Sequence, residues 1–177
     1  SAYETGDHRH PDGTPGLEGL TRPGRALPAT PYVTAKQKGR LVHFLYAAPA
    51  RIERYDLDTQ SWLAMVLLPP GPVAFDVDAS GIFVAYESSL YAFEPDGTRQ
   101  RFLRNLDETP IELFAAGAHL VAVAPGKVSS VQKSDGALIA EQGVFFGITG
   151  ATFDGSEVLG RTAWVSPADV LRIAVHP

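Results

Sequence analysis

Apolar residues in this chain recur in short runs bounded by turn residues, and the runs themselves recur. Residues 77–84 (VDASGIFV), 115–122 (AAGAHLVA) and 153–160 (FDGSEVLG) share one pattern, and their matching apolar positions Ile82, Leu120 and Val158 are 38 residues apart. Tyr55, Phe93 and Val131 keep the same step, and each precedes a polar turn, at 56–59, 94–98 and 132–136. Val73 and Ile111 are again 38 apart, each just after a proline. Only the first copy is out of step: Leu41 to Tyr55 takes 14 residues where Ile82 to Phe93 and Leu120 to Val131 take 11, which places three extra residues around 47–50. Runs rich in Val, Ile, Phe and Tyr between such turns predict strands. A period of this length predicts one supersecondary unit stacked on copies of itself.

Within the second copy the expected strands are 73–77, 82–86, 90–93 and 99–103. The turns between them carry their own chemistry. In 78–81 and 95–97 an aspartate can bond the backbone two residues on, and a glycine admits positive φ. The third copy is locally ambiguous, because Thr109-Pro110-Ile111-Glu112 also suits a helix start with proline at its first position and a capping glutamate. Register with two neighbours outweighs local propensity, so a strand is expected there.

Four-stranded units of about 40 residues are how propeller blades are built. Tyr55-Asp56-Leu57-Asp58-Thr59-Gln60-Ser61-Trp62 resembles the tail of a kelch blade, and Ser89-Leu90-Tyr91-Ala92-Phe93 with its Asp-Gly turn resembles quinoprotein-type blades. The kelch double glycine and the WD dipeptide are missing, so the resemblance implies a fold and no family-level activity. The expected fold class is all-β, a β-propeller or propeller fragment of four-stranded antiparallel blades over residues 31–177. Three blades are complete, and a fourth, at 147–175, lacks its outermost strand. Either residues 17–30 supply that strand and close a small ring, or the chain is part of a larger propeller. An unclosed arc would leave apolar blade faces in water, so it is expected to associate with itself or with the remainder of its parent chain.

Residues 1–30 differ in composition. The first 31 residues hold five glycines and five prolines, a content that supports neither a helix nor a central strand and reads as a linker or strap. The net charge of −5 with no basic block argues against nucleic-acid binding, and no apolar run approaches the roughly 18 residues of a membrane helix. Cysteine is absent, which removes thiol nucleophiles and Cys-ligated zinc. The chain opens Ser1-Ala2, so a processed or excised N-terminus is expected, which leaves secretion open; the compartment is not assigned, an extracellular or cell-surface one being favoured.

Candidate chemistry is sparse. Asp76, Asp78, Ser80, Gly81 and Glu87 fit the spacing of a calcium loop, but no helix can enter past Pro69-Pro70-Gly71-Pro72, and the third copy has Phe114, Ala116 and Ala118 at the oxygen positions. An ordinary aspartate turn is expected, with Ala at Asp78 costing about 1 kcal/mol or less. Asp7, His8, His10 and Asp12 have the ligand types for zinc or nickel, but Pro11 and Gly13 place them on a solvated tail. No catalytic, cofactor or metal residues are assigned. If the propeller resemblance holds, loops between second and third strands share one face with those between blades. That face supplies the candidate binding residues Tyr46, Glu87, Asp107, Glu108 and Trp164, the two aromatics being suited to stack on a sugar or cap a peptide. The expected function is a non-catalytic module that binds protein or carbohydrate, or a scaffold within a larger surface or secreted protein. A propeller lyase or glycosidase is the alternative, because the copies differ at just these loops.

Overall fold

The computed structural model describes residues 21–22, 25–26, 32–145, 147–162 and 171–174. The chain divides into two compact units, Ser1–Leu67 and Leu68–Pro177. In the first unit a small hairpin pairs β1 (Thr21–Arg22) with β2 (Arg25–Ala26). The first full sheet follows, as β3 (Thr34–Lys38), β4 (Leu41–Ala47) and β5 (Ala50–Asp56), all antiparallel. Its outer position is shared by two short strands, β6 (Ser61–Trp62) and β7 (Val66–Leu67), each paired to β5. The three extra residues expected near 47–50 lie at the β4/β5 turn, where the ladder runs out to the pair Ala47 and Ala50.

The second unit holds three sheets, each in chain order. The second sheet is β8 (Pro72–Asp78), β9 (Gly81–Tyr86), β10 (Ser89–Phe93) and β11 (Arg101–Asn105). The third is β12 (Glu112–Ala116), β13 (His119–Ala124), β14 (Lys127–Gln132) and β15 (Leu138–Gly143). The fourth is β16 (Ile148–Phe153), β17 (Glu157–Thr162) and β18 (Leu171–Ala174), with three strands among the described residues. The ambiguous stretch of the third copy is strand β12, paired along its length to β13. The last strand of the second sheet starts at Arg101, two residues later than its sequence pattern suggests, because the β10/β11 turn carries Gly97 and Arg99 at positive φ.

The period-two alternation decides how the sheets pack. On β13, Leu120 and Ala122 face the second sheet and join Phe83, Leu90, Leu103, Leu113 and Val131 in one buried cluster. Val121 and Val123 face the other way and pack with Val128, Ile148, Val158 and Ile173 of the third and fourth sheets. A single strand therefore serves two cores, which is why it reads as a nearly continuous apolar run. The first sheet has its own cluster of Val42, Phe44, Tyr46 and Tyr55, closed by Trp62. Tyr55 and Trp62 are cross-strand partners with ring centroids 5.1 Å apart in a T-shaped contact, across a turn in which Asp56 Oδ1 accepts the Asp58 N–H at 2.8 Å.

Aspartate turns are the common punctuation. Asp78, Asp96, Asp135 and Asp154 each accept a backbone N–H from two residues on, at 2.8 to 2.9 Å. One turn also touches its neighbour closely. Gly136, at φ +78°, sits so near β11 that an added Cβ would lie 2.0 Å from the Leu103 carbonyl oxygen.

Candidate functional site

Two ends of the second unit carry polar side chains, and they do different things. At one end lie the β9/β10 turn and the connection from β11 to β12. The Leu106 N–H donates to the Ser88 carbonyl at 2.8 Å, so three of the sequence-selected residues, Glu87, Asp107 and Glu108, come together there. Glu87 is exposed, at φ +50° in the turn. Glu108 Oε2 accepts the Gly126 N–H of the next sheet at 2.8 Å. Asp107 Oδ2 meets Lys127 Nζ at 2.6 Å, and the same ammonium reaches Glu141 Oε1 at 2.8 Å. The hydrogen bond from Lys127, then its charge, holds the Asp107 carboxyl below the usual range, and the bonds to Asp107 and Glu141 push Lys127 upward. The pair of acids read as a ligand site is thus occupied in joining one sheet to the next.

Tyr46 and Trp164 do not join this group. Tyr46 lies in the first unit on β4, 2% exposed, with the Arg51 guanidinium 4.1 Å from its ring centroid. Arg51 is itself buried and donates to Glu53 Oε1 at 3.0 Å and to the Pro49 carbonyl at 2.9 Å. Tyr46 is therefore a packing residue, placed inside because the longer first hairpin carries it along the strand. Trp164 lies outside the described residues, as does the segment 7–12.

The calcium-like spacing resolves into turn and tie. Asp78 Oδ1 accepts the Ser80 N–H at 2.8 Å and the Ser80 hydroxyl at 2.6 Å. Asp76 is fully buried on β8; its Oδ1 accepts the Val77 N–H at 2.9 Å and its Oδ2 the Ala115 N–H of β12 at 2.7 Å. Glu87 is at the opposite end of β9.

The other end of the unit holds a cleft of about 320 Å³ between the second and third sheets. From the second sheet it is lined by the apolar Phe83, Ala92 and Phe93 and by the charged Glu94, Arg99 and Arg101. Lys133 crosses from the third sheet, almost completely buried, with its Nζ bonded to Asp78 Oδ2 and to the Gly117 carbonyl at 2.7 Å, 5.1 Å from the Phe83 ring centroid. Arg101 reaches back the other way, Nη1 to the Ser134 carbonyl at 2.6 Å and Nη2 to the Lys133 carbonyl at 2.7 Å. Burial raises the Asp78 carboxyl, but the bonds from Lys133 and Ser80 outweigh it and leave the group below its ordinary value.

Arg99, Arg101 and Lys133 were not among the residues that the sequence singled out. A signal for two of them exists: one period on, the places of Arg99 and Arg101 are taken by Ala137 and Ile139, and the place of Asp78 by Ala116. The two arginines are a departure from the repeat.

Five aspartates, at 56, 78, 96, 107 and 154, are held below the normal carboxylate range, in the exposed turns mainly by backbone or hydroxyl hydrogen bonds. A carboxylate depressed in the folded state stabilises the fold above its unfolded pKa and loses that contribution as pH falls through the folded value. The melting temperature is therefore expected to be level above about pH 5 and to fall below about pH 4. A profile that stays flat to pH 2.5 would contradict this.

Small antiparallel sheets in chain order, packed face to face by a repeat of 38 residues, define a β-propeller fold. No protein-family profile and no curated protein matches the chain. Among solved structures it resembles the computationally designed Ika4 protein, with a TM-score of 0.63 at 12% identity over 85% of this chain and 94% of that one. The computationally designed Ika8 protein is similar at a TM-score of 0.56 and 14% identity, over 74% of this chain. Kuenenia stuttgartiensis hydrazine synthase gives 0.54 and 13%, also over 74%. The chain spans 42% and 44% of the latter two. At such identities the likeness is one of fold alone.

Proposed function

We propose that this chain is a non-catalytic β-propeller module that binds protein or carbohydrate, or serves as a scaffold, within a larger surface or secreted protein. The observation that carries this reading is the use made of its loop acids. Asp107 and Glu108 are engaged by Lys127 and the Gly126 N–H, Asp78 by Lys133, and Asp76 by the Ala115 N–H. A glycosidase or lyase needs a carboxyl raised toward neutrality beside a second acid or base. Here the aspartates with displaced pKa values are all displaced downward, which suits permanent anions in structural ties.

The test combines a glycan array with a pulldown from native lysate, both using the whole chain. Saturable binding without consumption of the bound material supports the module. Turnover of a bound polysaccharide would reverse the reading in favour of an enzyme.

The same reading includes self-association or union with further blades. β18 pairs with β17 on one side and has no outer neighbour among the described residues, and such an edge offers unpaired backbone groups to another strand. Size-exclusion chromatography with light scattering is expected to give a mass above that of one chain. A stable monomer at high micromolar concentration would rule self-association out.

A further inference from the structure

We infer that the cleft between the second and third sheets binds an acidic peptide segment, one carboxylate followed by an apolar side chain. The inference rests on the module reading above and names a ligand class for it. The first support is the departure from the repeat. Three cationic side chains stand at this seam, and the third sheet has Ala137 and Ile139 in the places of Arg99 and Arg101. In a repeat protein, structural positions recur and special ones do not.

Of these three cations, two have a structural task. Lys133 spends its ammonium on Asp78, the Gly117 carbonyl and the Phe83 ring. Arg101 anchors one edge of its guanidinium on two carbonyls, which fixes the plane of the group and leaves its remaining N–H donors unassigned. Arg99 is exposed and lines the cleft at φ +51°; its charge acts on the Asp96 carboxylate of the same turn, but it makes no hydrogen bond among the described residues. A non-glycine residue in the left-handed region is uncommon and strained. A fixed guanidinium beside one whose donors are unused is an arrangement that receives a carboxylate by paired N–H···O bonds.

The rest of the cleft selects the kind of anion. Glu94 lines the same cleft and opposes a second negative charge, as does the chain's net charge of −5, so a polyanion is disfavoured and a single carboxylate is not. Phe83 and Phe93 are 2% and 5% exposed, so neither offers an open ring face on which a sugar could stack. The apolar surface the cleft does offer is small, the rims of these rings and the exposed Ala118, and it suits the edge of one apolar side chain rather than a stacked ring. Gln132 and Ser134, on the third-sheet side, present donors and acceptors for a peptide backbone.

The probes are acetylated, amidated nonapeptides with Glu-Leu or Glu-Phe set in a Gly/Ser frame, the matching Gln peptides, and digalacturonate as a carboxylated sugar, all measured on the whole chain by fluorescence competition. The Glu peptides are expected to bind, and the Gln peptides to lose about tenfold or more. Arg99→Ala is expected to weaken the Glu peptides about tenfold, and Arg99→Lys, which keeps the charge without the fork, by less. Both variants should melt like the parent, because the side chain is exposed and unbonded. Equal binding of Glu and Gln peptides, an Arg99→Ala variant that binds like the parent, or preference for the uronate would each overturn the inference. If the cleft fails these tests while the whole chain still captures glycan or protein ligands, the module reading stands and this site falls.

Discussion

Gly136→Val is expected to leave the chain without a stable fold. The residue lies in the β14/β15 turn at φ +78°, donating its N–H to the Gln132 carbonyl at 2.9 Å. An added Cβ there would sit 2.0 Å from the Leu103 carbonyl oxygen and 2.6 Å from its carbon, both backbone atoms of β11. Neither strand can yield without separating the second and third sheets, which share the cluster of Phe83, Leu90, Leu103, Leu113 and Leu120. The loss should exceed about 4 kcal/mol, beyond the range of ordinary substitutions and a large part of a domain's stability. Gly117→Ala is the control. It has a similar backbone at φ +53° but nothing within 4 Å of the new Cβ, so the strain alone should cost about 1 to 2 kcal/mol. Urea melts of Gly136→Ala and Gly117→Ala that coincide would refute the contact.

The second large effect is expected at Asp78. As a turn residue alone it would contribute about 1 kcal/mol. It is also the counter-ion of Lys133, whose side chain is only 8% exposed, and removing one partner of a buried pair strands the other charge at a cost of about 3 to 5 kcal/mol. The Asp78 side chain is 29% exposed, so water can reach the stranded ammonium and a total near about 3 kcal/mol is expected for Asp78→Ala. Lys133→Met, which replaces the cation by apolar bulk, should cost about 1 kcal/mol, and the double variant should be no worse than Asp78→Ala alone. Additive losses in that cycle would show that the two residues act separately. Millimolar calcium should leave the melting temperature of the parent unmoved; a rise would return the metal reading to Asp78.

These two cases mark where reading the chain succeeds and where it stops. Ile82, Leu120 and Val158, chosen for their spacing, are all buried, as are Tyr55, Phe93 and Val131. They were legible because one physical demand, an apolar residue at a fixed place in each sheet, is repeated and so rises above local ambiguity. That is why the third copy folds as β12 despite its helix-like start. The sheet-to-sheet ties were not legible. Asp78 meets Lys133 across 55 residues and Arg101 meets Ser134 across 33, and neither distance is a multiple of the period. Gly136 looked like any turn glycine, since nothing local records the Leu103 carbonyl beside it. Tyr46 was misleading for a related reason: the lengthened first hairpin moves a position that is a loop in the other copies into a strand.

The two seams of the second unit are made of different materials. Asp76, bonded to the Ala115 N–H, and Asp78, bonded to Lys133, give one of them ionic and polar contacts. One period on, Phe114 lies against Phe153 with centroids 5.8 Å apart, and the cluster around it is aliphatic. Repeats this alike risk docking with the wrong sibling while they fold, a hazard known for tandem arrays. A misplaced second sheet would bring two naked carboxylates against Phe153 and Ile148, where no donor awaits them. The unlike seams thus favour the native succession of sheets, the arrangement in which the Asp76 and Asp78 carboxylates keep their partners.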